Sequence, residues 1–92
     1  MSASVRIPTI LRTYTGGAAE VTVAGATLRE SISDLDAQCP GIAARVLDES
    51  GALRRFVNVY VNDDDVRFLE SLDTVIADGA EISIIPAVAG GA

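Results

Sequence analysis

The sequence predicts an α+β fold, a mixed sheet of four to five strands packed on one main helix. Alternation of apolar and polar residues is the first sign. It recurs in Ser4-Val5-Arg6-Ile7, in Glu20-Val21-Thr22-Val23, in the run from Phe56 to Asn62 and in Glu81-Ile82-Ser83-Ile84, the period of two expected of half-buried strands. The second sign is a single helical stripe, Leu28, Ile32 and Leu35, whose spacing buries one face of a helix. The third is size, since 92 residues at 49% hydrophobic content supply one modest core and not two.

Taken in order, Ser4 to Ile7 continues through Pro8 to Thr9-Ile10-Leu11 as a first strand, and the proline within it predicts an edge or a bulge. Thr15-Gly16-Gly17 turns the chain into the second strand, Glu20 to Val23, so that the first two strands form an antiparallel hairpin. Thr27-Leu28-Arg29-Glu30 is a capping box: the threonine hydroxyl serves one free N–H of the helix start and Glu30 reaches back to another. Pro40-Gly41 ends that helix, and Ile42 with Val46 predicts a short second helical piece. Residues 48–53 are polar, contain Gly51 and form a surface loop.

Val57, Val59 and Val61 then face the core from a third strand. Residues 62–65 make a turn, Val66-Arg67-Phe68 a short extended piece, and 72–76 a tight helical or irregular connection. Asp78-Gly79 turns into the last strand, Glu81 to Ile85, with Ile82 and Ile84 inward and Pro86 stopping it. The order strand, strand, helix, strand, strand is the β-grasp arrangement. A helix crossover between the halves sets the last strand parallel to the first. Residues 1–86 are thus one domain and 87–92 a flexible tail.

Composition excludes several functions. Thirteen acidic residues against seven basic ones leave a net charge of -6, the wrong sign for binding nucleic acid. All seven basic residues are arginine, so no side-chain amine is available for conjugation. The single Cys39 forbids an intrachain disulfide and an iron–sulfur site, and its place before Pro40 reads as semi-buried structure, with nothing basic nearby in sequence to activate the thiol. With no histidine, the commonest general base and zinc ligand is missing, and a self-sufficient hydrolase or metalloenzyme is not expected. No cofactor and no metal are expected. The Asp63-Asp64-Asp65 run lacks the glycine and later glutamate of a calcium loop and reads as a solvated turn. No run is apolar enough to span a bilayer and no signal peptide is visible at the start, which points to the cytoplasm.

The chemistry-bearing feature is the end, Ala87-Val88-Ala89-Gly90-Gly91-Ala92. Glycine has no Cβ, so a diglycine arm can pass through a narrow channel into another protein's active site. From 87 to 91 the arm extends roughly 15 Å at about 3.3 Å per residue. Ala92 stands beyond the diglycine.

The run Asp78-Gly79-Ala80-Glu81-Ile82-Ser83-Ile84-Ile85-Pro86-Ala87-Val88-Ala89-Gly90-Gly91 resembles the closing signature of the prokaryotic ubiquitin-like sulfur carriers of the MoaD/ThiS family. Phe56-Val57-Asn58-Val59-Tyr60-Val61-Asn62 matches the strand before it. Ile7-Pro8-Thr9-Ile10-Leu11-Arg12 and Asp64-Asp65-Val66-Arg67-Phe68 are similar, more narrowly, to the carriers of actinobacterial cysteine biosynthesis. The resemblance covers essentially the whole chain. It implies a carrier, not an enzyme: an adenylyltransferase/sulfurtransferase of the ubiquitin-activating type uses ATP to adenylate the terminal glycine carboxylate, here Gly91 beside Gly90, and sulfur converts it to a thiocarboxylate. The further partners it implies are a pyridoxal-phosphate cysteine synthase and a zinc-dependent peptidase. Ala92 departs from that pattern, and its removal before activation is expected.

Phe56, Asn58 and Tyr60 fall on the sheet face opposite the valines. Phe56 and Tyr60, with Val88 on the tail, are candidate docking residues; burial of the aromatics under residues 48–55 is the alternative. Arg54, Arg55 and Arg67 could pair with acidic groups of partner enzymes, though solvation is the simpler reading. Two other functions remain open at this point. One is the small subunit of molybdopterin synthase or another thiocarboxylate carrier, the short thiazole type being disfavoured by the insertion at 41–55. The other is a non-catalytic β-grasp interaction domain that binds through its sheet.

Overall fold

A computed structural model describes residues 2–86. Five strands form one mixed sheet in the order β2-β1-β5-β3-β4: β1 Ser2–Arg6, β2 Glu20–Ala24, β3 Val57–Val61, β4 Asp64–Asp65 and β5 Glu81–Pro86. β1 pairs antiparallel with β2 and parallel with β5, while β3 runs antiparallel to both β5 and β4. The predicted β-grasp topology is thereby met, parallel pair included.

Helix α1, Leu28–Gln38, lies against the sheet. Thr27 accepts a hydrogen bond from the Glu30 N–H at 3.3 Å, and the Glu30 carboxylate accepts one from the Ala26 N–H at 2.9 Å, so the capping box closes one residue earlier than its simplest form. Leu28, Ile32 and Leu35 are buried against Val5, Val23, Val59, Ile82 and Ile84 from the sheet, the two amphipathic patterns meeting in one core. A Cβ at Gly25 would come 2.7 Å from the Ser31 nitrogen, which is why the strand-to-helix corner takes a glycine. Helix α2, Ala43–Val46, places Val46 in the same core, and Cys39 is buried there too.

Two stretches differ from the sequence reading. Thr9–Thr15 is a 3-10 helix and not the continuation of β1. Pro8 at the preceding position is extended, with φ -66° and ψ 153°, and cannot donate to a ladder, so the chain leaves the sheet there. β1 is consequently an interior strand, and the proline marks its end, neither an edge nor a bulge. Val66–Phe68 is likewise a 3-10 turn, begun by the Asp65 carboxylate accepting the Arg67 N–H at 2.9 Å. The extended part of that hairpin is Asp64–Asp65, joined to β3 through Asn62 and Asp63, both at positive φ.

The 48–53 loop is held by Asp48, whose Oδ1 accepts from the Ser50 hydroxyl at 2.6 Å and from the N–H groups of Ser50 and Ala52. The Ser50 hydroxyl and then the Ala52 N–H keep its carboxyl below the ordinary value. Ser31 is a different case: its hydroxyl is buried and has no hydrogen-bond partner among the described residues. Ser31→Ala is expected to raise stability by about 0.5–1 kcal/mol, because it removes an unpaired buried dipole and improves helix propensity. Urea denaturation of the two proteins measures the difference.

Candidate functional site

The strand that leads to the tail lies in the middle of the sheet. On one side Ser83 sits opposite Arg6, and on the other Ile85 sits opposite Asn58 and Pro86 opposite Val57. The ladder begins before β5 itself, with the Ser4 N–H donating to Ala80 O at 3.0 Å. Asn62 locks the other flank: its N–H donates to Glu81 O at 2.9 Å, and its Oδ1 accepts the Glu81 N–H at 3.0 Å. β3 thus holds β5 as far as Pro86, the root of the tail, while β1 flanks it as far as Ser83.

Two open depressions border this root. One, about 550 Å³, is lined by Arg6, Pro8, Arg12, Glu20, Ser83 and Ile85 among others. Arg12 is fixed in its wall by donating from Nε to Ile7 O at 3.1 Å. The second, about 330 Å³, lies between the 3-10 helix and β3 and includes Ile10, Tyr14, Arg45, Val57 and Pro86. There Arg45 Nε donates to the Tyr14 hydroxyl at 2.7 Å. Its guanidinium carbon stands over the ring, 5.8 Å from the centroid, at the outer limit of a cation–π contact.

Of the predicted docking residues, Phe56 is 51% exposed, just ahead of β3, with the Arg55 guanidinium 5.9 Å from its ring centroid. It is not buried under the 48–55 segment. Tyr60 is half-buried in β3, opposite Ser83 on one side and Asp65 on the other. Asn58 stands between the two aromatics along the strand and accepts a hydrogen bond from Arg67 Nη1 at 2.7 Å. Val88, Gly90, Gly91 and Ala92 lie outside the described residues.

Two of the three arginines read as solvated or partner-facing, Arg54 and Arg67, have internal work. Arg67 Nη2 also donates to Arg54 O at 2.7 Å and Val57 O at 2.9 Å, and Arg54 Nε donates to Ala44 O at 3.0 Å. Arg67 thus clamps the segment that presents Phe56. Sequence reasoning missed Ile10, 65% exposed, and Ile85, 49% exposed, beside the root. Ile85 carried a signal, since after Ile82, Ser83 and Ile84 the alternation assigns it to the outer face, where a polar residue is the norm. Among the described residues no group of His, Cys, Asp and Glu is placed to hold a metal ion, and no helix is long and apolar enough to cross a membrane.

The ThiS family matches residues 5–91, nearly the whole chain. The chain belongs to the ThiS family. A curated relative, sulfur carrier protein CysO of Mycobacterium tuberculosis (strain H37Rv), is 56% identical over 93 residues, which is 99% of this chain and 100% of that protein. A chain of the crystal structure of the Amycolatopsis orientalis BexX/CysO complex is 52% identical, covering 97% of this chain and 99% of that one, with a TM-score of 0.91. The crystal structure of Mycobacterium tuberculosis CysO gives 0.90 at 55% identity over 94% of this chain and 99% of that one. In family and fold this is a small ubiquitin-like sulfur carrier, not a catalyst.

If Arg67 is a clamp, Arg67→Ala loses three hydrogen bonds and is expected to cost about 1–2 kcal/mol, with faster amide exchange over 54–58. Arg55→Ala, which breaks none of the hydrogen bonds described, is expected to stay within about 0.5 kcal/mol of the parent. Chemical denaturation and hydrogen exchange separate the two.

Proposed function

We propose that this ThiS-family chain carries sulfur as a thiocarboxylate on Gly91, for cysteine biosynthesis in the cytoplasm, after Ala92 has been removed. The observation that carries the reading is the strand β5, held on both sides as far as Ser83 and by β3 as far as Pro86 and followed in sequence by Ala87-Val88-Ala89-Gly90-Gly91. Full-length identity of 56% to proteins named sulfur carrier protein CysO supports it. So does the BexX/CysO complex, a case of a relative engaged with a partner protein.

A carboxylate resists nucleophiles until one oxygen becomes a good leaving group. In this scheme the Gly91 carboxylate attacks the α-phosphorus of ATP on a ubiquitin-activating-type adenylyltransferase/sulfurtransferase, and pyrophosphate leaves. A sulfur nucleophile then attacks the acyl carbon and AMP leaves, so the carrier itself binds no cofactor. The thiocarboxylate sulfur ends on the β-carbon of an O-activated serine on a pyridoxal-phosphate enzyme, the C–S bond replacing the C–O bond as the activated oxygen departs with its activating group. An S-to-N acyl shift leaves cysteine in amide linkage, and a zinc-dependent peptidase hydrolyses that amide. The chain's own part is to present the arm: Ile10, Phe56 and Ile85 offer apolar contact around Pro86, with Tyr60 deeper on the sheet face of Ile85 and Val88 the candidate contact on the arm.

The intact mass of the protein from its own cells tests this directly. The expected species ends at Gly91 and has one oxygen replaced by sulfur, or has cysteine attached. Finding only a species that keeps Ala92 with an ordinary carboxylate would overturn it. In parallel, Gly90→Val is expected to abolish adenylation by the partner enzyme while leaving the melting temperature within a few degrees of the parent, because the change lies four residues beyond Pro86 in sequence.

A further inference from the structure

The edge of a sheet is a template for another strand, because its outward N–H and C=O groups have no partner within the sheet. Here the two edges are β2 and β4. β4 is only Asp64–Asp65, short and doubly charged, and offers little length to pair with. β2, Glu20–Ala24, is five residues long. Ser4 donates its N–H to Ala80 O at 3.0 Å and Ser2 O accepts the Gly79 N–H at 2.8 Å, so both residues turn their peptide groups toward β5. Thr22 and Ala24, which sit opposite Ser4 and Ser2, accordingly turn theirs to the open edge.

Side chains of α1 take up those groups. Asp34 Oδ2 accepts the Ala24 N–H at 2.9 Å, while Gln38 Nε2 donates to Thr22 O at 2.8 Å and to the same Asp34 oxygen at 3.0 Å. With an acceptor on each side, the Gln38 amide has only one orientation that bonds to both. A strand added in either direction would cross Val23 by bonding the C=O of Thr22 and the N–H of Ala24, and the acid–amide pair supplies that donor and that acceptor. We propose that Asp34 and Gln38 stand in for one step of a sixth strand and seal the β2 edge against pairing with β2 of a second copy of this chain. The strand's own residues point to that occupant. Antiparallel pairing centred on Thr22 would set Thr22 opposite its equivalent and Glu20 opposite Ala24, a threonine pair with no like charges facing. It would need the Ala24 N–H for Glu20 O and Thr22 O for the second Thr22 N–H, the two groups that the seal occupies. The seal is independent of the carrier reading, since it touches neither β5 nor the residues after it.

Sedimentation equilibrium of the full chain, from micromolar to millimolar concentration, tests the seal. The parent is expected to remain a monomer. Asp34→Ala combined with Gln38→Ala, both compatible with a helix, is expected to associate reversibly toward the mass of two chains. At micromolar concentration its Ala24 amide is expected to exchange about tenfold faster than in the parent, because a charge-assisted hydrogen bond is gone. Thr22→Pro added to that pair is expected to restore a folded monomer, since it removes an outward N–H and leaves the ladder to β1 intact. Asp34→Asn keeps an oxygen acceptor while removing the charge, and is expected to stay monomeric; its association would assign the effect to charge and overturn the proposal. So would a double variant that keeps the parent's circular dichroism and remains a monomer, or leaves Ala24 exchange unchanged, or associates as strongly with Thr22→Pro as without it. Should the double variant lose its helix, Gln38→Ala alone decides, because it frees Thr22 O and leaves Asp34 on Ala24. Association then supports the seal, and a monomer at millimolar concentration overturns it. A parent that pairs through β2 would show the edge open, with the same consequence.

Discussion

The parallel pairing of β1 with β5 is the constraint on which the rest depends. It makes the last strand of the chain a central strand, with Ser83 between Arg6 and Tyr60 and Ile82 between Val5 and Val61. A terminal strand at an edge could fray, whereas the first half of this one, as far as Ser83, separates only if two ladders break together. The pairing also obliges the chain to cross the sheet between its halves, and α1 makes that crossing with Leu28, Ile32 and Leu35 against the strands. Beyond Ser83 the β3 ladder alone carries the strand on to Pro86, which is fixed in space by the sheet and not by a loop.

Much of this was legible in the sequence because each element carries its own period. The valines of β3, the isoleucines of β5 and the α1 stripe all occupy the faces that their spacing assigns them. Thr9–Thr15 was not legible, because Thr9-Ile10-Leu11 continues an apolar run that suits a strand as well as a buried turn. What decides the matter is where Pro8 ends the ladder and how Leu11 folds back into the core. The site was read unevenly for a similar reason. Phe56 was a docking candidate from the alternation, but the sequence left its burial under residues 48–55 equally open, and only the structure places it exposed just ahead of β3. The Arg67 clamp needs the carbonyls of Arg54 and Val57, and backbone acceptors leave no trace in side-chain patterning.

Charge is distributed along the sheet and not evenly over it. Asp63, Asp64, Asp78 and Glu81 gather at the end where β5 begins, while Arg12 and Arg45 stand beside Pro86 where it finishes. A net charge of -6 sets the attraction felt at long range, which salt screens beyond about 8 Å. At contact distance the root presents guanidinium groups and exposed isoleucine instead. Both the approach and the seating are then oriented, since a partner drawn by the acidic end meets a different surface at the root.

A folded body is needed behind so small a reactive group because ordering the arm is costly. Fixing the backbone of five residues costs about 5–10 kcal/mol at 1–2 kcal/mol each, and the two glycines lie at the upper end of that range. A free peptide ending in diglycine would have to offset all of it with contacts to the arm alone, whose side chains are small. Holding the chain as far as Pro86 confines the ordering cost to the residues beyond it. The exposed Ile10, Phe56 and Ile85 surround that point with apolar surface, and burying it contributes about 25 cal/mol per Å². The sheet therefore does two things at once for the arm, limiting what must be ordered and supplying the contact that offsets it.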